Sequence, residues 1–270
     1  MNGEITFRIL GCGSSPGVPR IGGDWGACDP ANPRNRRRRA SLLITRHDPM
    51  TDGITRVLVD TGPDLREQML DAGVDWVDAV IYTHAHADHI HGIDDLRAFV
   101  LNRRKRVDIY ADQATRARLD EAFGYCFKTP PGSSYPPILN AHQIDADHPV
   151  TINGPGGPVT LMPFIQEHGD IQSLGFRIGD VAYSPDVSRI DERATPHLTD
   201  LKVWIVDALR YKPHPSHFSV DEALEWVGKL RPKRAILTHM HVDLDYETLA
   251  QRLPDGAEPA YDGLEFTQPA

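Results

Sequence analysis

The sequence is short of several things, and each shortage excludes something. Cysteine occurs three times in 270 residues, at Cys12, Cys28 and Cys126. An odd number at unlike spacings does not make a disulfide framework and suits reduced thiols. No apolar run approaches the roughly 18 residues of a membrane span, and Met1-Asn2-Gly3-Glu4 has neither the basic nor the apolar region of a secretory leader. Cytoplasmic residence, with no membrane partner, is the expectation. Positive charge is in deficit, 29 Lys and Arg against 38 Asp and Glu for a net charge of -9, which argues against an extended surface for nucleic acid. Aromatics are only 7%, yet 40% apolar and 25% charged residues suffice for a sizeable core and exclude a disordered chain. Neither an internal repeat nor an interdomain linker is present, so residues 1–270 are read as one domain. What is abundant is histidine, with 13 copies.

Strand-like runs recur at Ile5–Leu10, Ser41–Thr45, Thr55–Val59, Val77–Thr83, Val107–Tyr110, Val159–Met162, Leu174–Ile178, Lys202–Val206 and Arg234–Thr238. Helical patterns lie between them. Pro63–Ala72 has a proline in its first turn and stops at Gly73, Asp112–Phe123 is amphipathic, and Ser219–Leu230 opens with the Ser-x-x-Glu capping box of Ser219 and Glu222. Strands mixed with helices over the whole length indicate a layered α/β architecture. Gly11–Arg39 and Lys128–Pro158, rich in Gly and Pro, read as long surface loops.

The informative segment is Thr83-His84-Ala85-His86-Ala87-Asp88-His89-Ile90-His91-Gly92, placed where the apolar run from Val77 ends. Histidines at i and i+4 would share a helix face, but His84 and His86 are at i and i+2. In extended chain that spacing turns both imidazoles to one side, while Asp88 and His89 begin the next turn and can face a second ion. Imidazole with carboxylate suits Zn²⁺, Mn²⁺ or Fe²⁺. Two ions need more ligands, and these are expected at other strand ends: His168, Asp186 and His239 occupy such positions, and Asp60 closes Val57-Leu58-Val59.

His84–Gly92 resembles the H-x-H-x-D-H-x-x-G signature of the metallo-β-lactamase superfamily, and His168, Asp186 and His239 follow in the order of its later metal motifs. The resemblance implies an αβ/βα four-layer sandwich with two divalent metal ions, Zn or Mn. It implies His84, His86 and His168 on one ion, Asp88, His89 and His239 on the other, and Asp186 between them. Gly11-Cys12-Gly13-Ser14-Ser15-Pro16-Gly17-Val18-Pro19, Asp60-Thr61-Gly62-Pro63-Asp64-Leu65-Arg66 and His217 resemble the phosphodiesterase branch typified by PhnP, which opens a ribosyl 1,2-cyclic phosphate. That branch implies His217 as an additional active-site histidine. It also carries a structural zinc on three cysteines and a histidine. Here Gly23, Trp25 and Val242 stand at three of those positions, with Cys28 and the neighbouring His241 left.

The chemistry expected of such a site is hydrolysis of a small, cyclic or open, phosphorylated sugar or nucleotide. Two cations would lower the pKa of a bridging water so that hydroxide attacks phosphorus. His217 would protonate the leaving oxygen or contact phosphate, His217 and Asp88 being the candidate catalytic residues and Asp60 an orienter of a ligand imidazole. His214 competes with His217 for that role. A transfer-RNA 3′ processing endonuclease, a lactone or thioester hydrolase, and a non-catalytic metal-binding scaffold are the alternatives. The runs Arg36–Arg39 and Arg103–Arg106 could attract phosphate or be solvated faces. His91 follows the signature and is read as packed or solvent exposed, His47, His142, His148 and His197 carry no case, and monomer or homodimer stays open.

Overall fold

Alternation along the strands decides the layering. In the computed structural model, which describes residues 3–270, Phe7, Ile9, Leu42, Ile44, Val57 and Val59 face one core, while Leu43, Leu58 and Val80 face another. Strands apolar on both faces need cover on both. The first half of the chain supplies β1 (Glu4–Gly11), β2 (Ser41–Asp48), β3 (Gly53–Val59), β4 (Ala79–Ile81), β5 (Val107–Ala111) and β6 (Leu139–Gln143). The second supplies β7 (Val150–Ile152), β8 (Val159–His168), β9 (Ile171–Ile178), β10 (Val181–Ser184), β11 (Val203–Asp207), β12 (Arg234–Thr238) and β13 (Ala257–Pro259), after which β14 (Glu265–Pro269) returns to the edge of the first sheet beside β1. Each sheet has seven strands in a row, an antiparallel meander followed by parallel pairings from β3 to β6 and from β10 to β13.

Helices cover the outer faces. Leu65 and Met69 of α1 (Leu65–Asp71), Phe99 of α3 (Arg97–Arg103) and Leu119 of α4 (Gln113–Phe123) fill the outer core of the first sheet. On the second sheet, α5 (Val220–Leu230) buries Val220 and Ala223, and α6 (Tyr246–Ala250) buries Leu249. The Ser219–Glu222 capping box is formed in both directions, with Ser219 N donating to Glu222 Oε2 at 2.8 Å and Glu222 N to Ser219 Oγ at 3.3 Å. The result is the expected αβ/βα sandwich. No helix among the described residues is long and apolar enough to cross a membrane.

The segment Lys128–Pro158, read from sequence as loop, contains β6 and β7. β6 is Leu-Asn-Ala-His-Gln and β7 only three residues. Both are sheet edges, where main-chain pairing on one side suffices and no apolar run advertises the strand. The Val77–Thr83 run narrows to β4, its last residues leaving the sheet toward the rim where Leu174 N donates to Thr83 O at 2.9 Å.

Asp262, between β13 and β14, ties the chain's end to its start. Its carboxylate accepts from Cys12 N (3.1 Å) and Arg38 N (2.8 Å). Burial pushes this carboxyl up to about 6, against the pull of those amides and the Arg38 charge. An acid whose folded pKa lies above its ordinary value contributes stability that is present below about pH 4 and lost as pH rises through about 6. Stability relative to Asp262→Asn, followed by urea unfolding, is therefore expected to fall on the order of 1–2 kcal/mol over that window, allowing for partial solvent access. A difference independent of pH would contradict the assignment.

Candidate metal centre

β3 and β4 run in parallel, as do β10, β11 and β12, so their carboxyl ends open on one rim between the sheets. Asp60 follows β3, His84 lies just beyond β4, His168 ends β8, Asp186 follows β10, and His239 follows β12. The i, i+2 spacing works as expected. His86 is extended (φ -67°, ψ 151°) and caps α2 (Ala87–Ile90), whose first turn carries Asp88 and His89. The glycine closing this segment has a steric cause, since a Cβ on Gly92 would lie 2.1 Å from the Gly62 carbonyl oxygen. Thr61 N donates to His89 O and Gly92 N to Thr61 O, both at 2.8 Å, so the turn after β3 is laced to the histidine segment.

Hydrogen bonds select the tautomers. His89 Nδ1 donates to Asp60 Oδ2 at 2.7 Å and His168 Nδ1 to the Ser216 carbonyl at 2.6 Å. Thr83 Oγ1 donates to Asp60 Oδ2 at 2.8 Å and so can accept from His84 Nδ1 at 2.9 Å. In all three rings Nε2 is left with its lone pair. Asp60 (φ 65°) and His239 (φ 58°) sit in the left-handed region, a strain of about 1–3 kcal/mol each that surrounding structure must hold.

The free atoms converge. His86 Nδ1 lies 3.1 Å from His168 Nε2, and with His84 they form a trio whose donor atoms are all within 4.8 Å. Asp88 Oδ2 lies 3.5 Å from His89 Nε2 and 3.6 Å from His239 Nε2. Asp186 stands between the trios, 3.2 Å from His89, 3.4 Å from His239, 3.6 Å from His168 and 3.9 Å from His84. Ligands about 2.0–2.1 Å from a tetrahedral ion are about 3.4 Å apart, the spacing seen here. Among the described residues His84 Nε2, His89 Nε2, His239 Nε2 and Asp186 Oδ1 are buried without any hydrogen-bond partner, so the donor set fits divalent cations. Burial holds His84 and His86 below the usual imidazole range and takes His168 to about 4, leaving these rings neutral, the form that binds metal. Burial also opposes charge on His89, but Asp186, Asp88 and Asp60 raise it well above the ordinary value, so that without a cation a proton is held on Nε2, the atom at which a metal ion would replace it.

His217 joins the cluster and His214 does not. His217 Nδ1 donates to Asp207 Oδ2 at 2.7 Å and lies 3.9 Å from Asp186 Oδ2, whereas His214 Nδ1 accepts from Ser216 Oγ at 3.1 Å. Burial raises Asp207 and lowers His217. Sequence reasoning missed Asp207, although it ends β11 as Asp186 and His239 follow their strands. His47, His142 and His197 pair with Asp52, Asp108 and Asp147 elsewhere. His148 Nδ1 donates to the Ala146 carbonyl, and His91 stacks edge-on against Phe123.

Cys28 and His241 belong to no trio of ligand-type side chains among the described residues. Cys28 is packed with Val18, Val242 and Trp25, and the buried Arg37 guanidinium donates to the carbonyls of His241 (3.2 Å) and Leu244 (2.6 Å). His241 Nε2 faces Arg20 Nη2. A buried cation thus joins the two loops. The Arg103–Arg106 run precedes β5 and lies at the amino ends of the parallel strands, opposite the rim, with Arg103 on Asp75 (2.6 Å).

A family profile described as Beta-lactamase superfamily domain matches residues 55–240. A solved structure titled as a new diphosphatase from the PhnP family is 35% identical, covers 99% of this chain and 98% of its own, and superposes with a TM-score of 0.88. Zn²⁺-bound PqqB from Methylobacterium extorquens, 16% identical over 97% of this chain and 99% of its own (TM-score 0.72), shares the fold. An octanoyltransferase of Porphyromonas gingivalis is 34% identical over 95% of this chain, which spans only 50% of that protein.

Asp60→Asn is expected to weaken divalent-cation affinity about 10- to 100-fold in a competition titration, through loss of the His89 and Thr83 contacts. Unchanged affinity would contradict the orienting role.

Proposed function

The chain belongs to the metallo-β-lactamase superfamily, near the PhnP family, and on that premise we propose that it is a dinuclear phosphohydrolase that cleaves a P–O bond in a small phosphodiester or diphosphate. Metal-dependent hydrolysis comes with the family. The finer reading is supported chiefly by His217: a nearly buried imidazole beside Asp186, with Nδ1 committed to Asp207 and Nε2 making no hydrogen bond within the described residues.

Divalent cations in this pocket would supply water activated at neutral pH and would stabilise charge on attacking and departing oxygens. His84, His86 and His168 would hold one cation and Asp88, His89 and His239 the other, with Asp186 close to both sets. Asp60 keeps His89 oriented directly and His84 through Thr83. As an imidazolium with Nδ1–H held by Asp207, His217 would give its Nε2 proton to the leaving oxygen as the P–O bond breaks and be left neutral, the form that its burial favours. Asp88 would hold its cation and take up the proton of the attacking water. A small substrate is supported by the relative titled a diphosphatase, by the net charge of -9 and by the position of Arg103–Arg106 away from the rim.

The test is turnover by metal-loaded protein of bis-p-nitrophenyl phosphate, a dinucleoside diphosphate, a cyclic nucleotide, a lactone and a precursor transfer RNA. Hydrolysis of the small phosphate compounds, lost on chelation, is expected. Turnover of the lactone alone, or of the RNA alone, would overturn the reading. His217→Ala is expected to retain its metal, measured by elemental analysis, and to lose about 10²- to 10⁴-fold in kcat. Full turnover in that variant would remove the proton-donor role.

A further inference from the structure

The Arg36–Arg39 run is not absorbed by the metal centre, and the structure divides it. Arg37 turns inward, and Arg39 pairs with Asp64 at 3.0 Å. Arg36 and Arg38 line a cavity of about 190 Å³ together with Arg8, Gln68, Asp71 and Asp262. The cavity is on the helix-covered face of the first sheet, since Arg8 and Leu10 alternate with Phe7 and Ile9, which face the inter-sheet core. None of the clustered histidines lines it.

Its charge balance favours an anion. Arg38 Nη2 is 2.5 Å from Asp71 Oδ2, which neutralises that carboxylate. Both Asp262 oxygens already accept main-chain amides. Arg8 makes only a 3.8 Å contact to Glu265 and a 3.4 Å contact to the Asp71 carbonyl, and exposed Arg36 has no carboxylate within 4.0 Å among the described residues. Two guanidiniums, of Arg8 and Arg36, are thus free or nearly so, and planar guanidinium donors suit phosphate oxygens.

Gln68 supplies the second observation. It is 1% exposed, and its Nε2 donates to the Arg39 carbonyl at 2.9 Å, which decides the amide's orientation. Its Oε1 is then buried with no partner among the described residues, a cost of about 1–3 kcal/mol that a donor would remove. Guanidiniums call for an oxyanion and this oxygen calls for a hydroxyl. We propose that the cavity is a second ligand site, separate from the metal centre, for a small phosphorylated hydroxy compound of the sugar monophosphate type. Arg8, Arg36 and Arg38 hold its phosphate, and Gln68 Oε1 accepts from a hydroxyl.

The proposal does not rest on the reaction at the metal centre. It is tested by calorimetric titration of metal-loaded protein with ribose 5-phosphate, inorganic phosphate and ribose. Two classes of phosphate site are expected. Arg36→Ala should raise Kd of one class at least tenfold, leave the other unchanged, and leave turnover of bis-p-nitrophenyl phosphate within twofold. Ribose 5-phosphate should bind the affected class more tightly than inorganic phosphate, and ribose not measurably. A single class unaffected by Arg36→Ala would overturn the site, equal binding of ribose and ribose 5-phosphate would overturn its anionic character, and equal binding of the two phosphates would overturn the role of Gln68.

Discussion

Unprotonated imidazole nitrogens and a carboxylate gathered in a buried pocket, with no donor to satisfy them, form the constraint that the rest of this structure serves. Among the described residues His84, His89 and His239 present Nε2 atoms without partners, and Asp186 lies within 3.9 Å of five imidazoles. Left alone, such a cluster is costly, because buried acceptors need donors or positive charge. Cations between them would turn the cost into binding energy. The surrounding hydrogen bonds prevent the simplest escape, in which a ring flips or changes tautomer. Asp60 holds one ring directly and another through Thr83, and the Ser216 carbonyl holds a third.

The fold makes that crowding sustainable by spreading it over many strands. Ligand-type residues stand at or just beyond the carboxyl ends of β4, β8, β10 and β12, with Asp60 after β3; four of them, His84, His86, Asp88 and His89, share the segment after β4. Two of these positions, Asp60 and His239, require left-handed backbone, and the ladders on either side hold them there. Close main-chain packing of Gly62 on Gly92 adds a further brace. Beside the rim, the buried Arg37 guanidinium joins the loop before β2 to the loop after β12 through carbonyl acceptors, a cross-link made from a side chain and backbone alone.

Much of this was legible in the sequence. Buried strands and the capped α5 announce themselves by apolar runs and by Ser219–Glu222, and the i, i+2 histidines before a turn point to convergence. The strand-end rule found His168, Asp186 and His239, yet passed over Asp207, which reads as the last residue of an apolar run until His217 is known to be its neighbour in space. Edge strands β6, β7, β13 and β14 escaped because one-sided pairing imposes little on composition. The arginine run concealed four different fates for four identical side chains, since only packing decides which guanidinium turns inward.

The central claim is that the converging lone pairs exist to hold a pair of cations. It is tested most directly by anomalous diffraction at the absorption edges of zinc and manganese from crystals of the purified protein. The account predicts two peaks about 3.5–4 Å apart, one against His84, His86 and His168, the other against Asp88, His89 and His239, with Asp186 between them. A pocket without anomalous scatterers after incubation with either metal, or a peak found only beside Cys28 and His241, would contradict it.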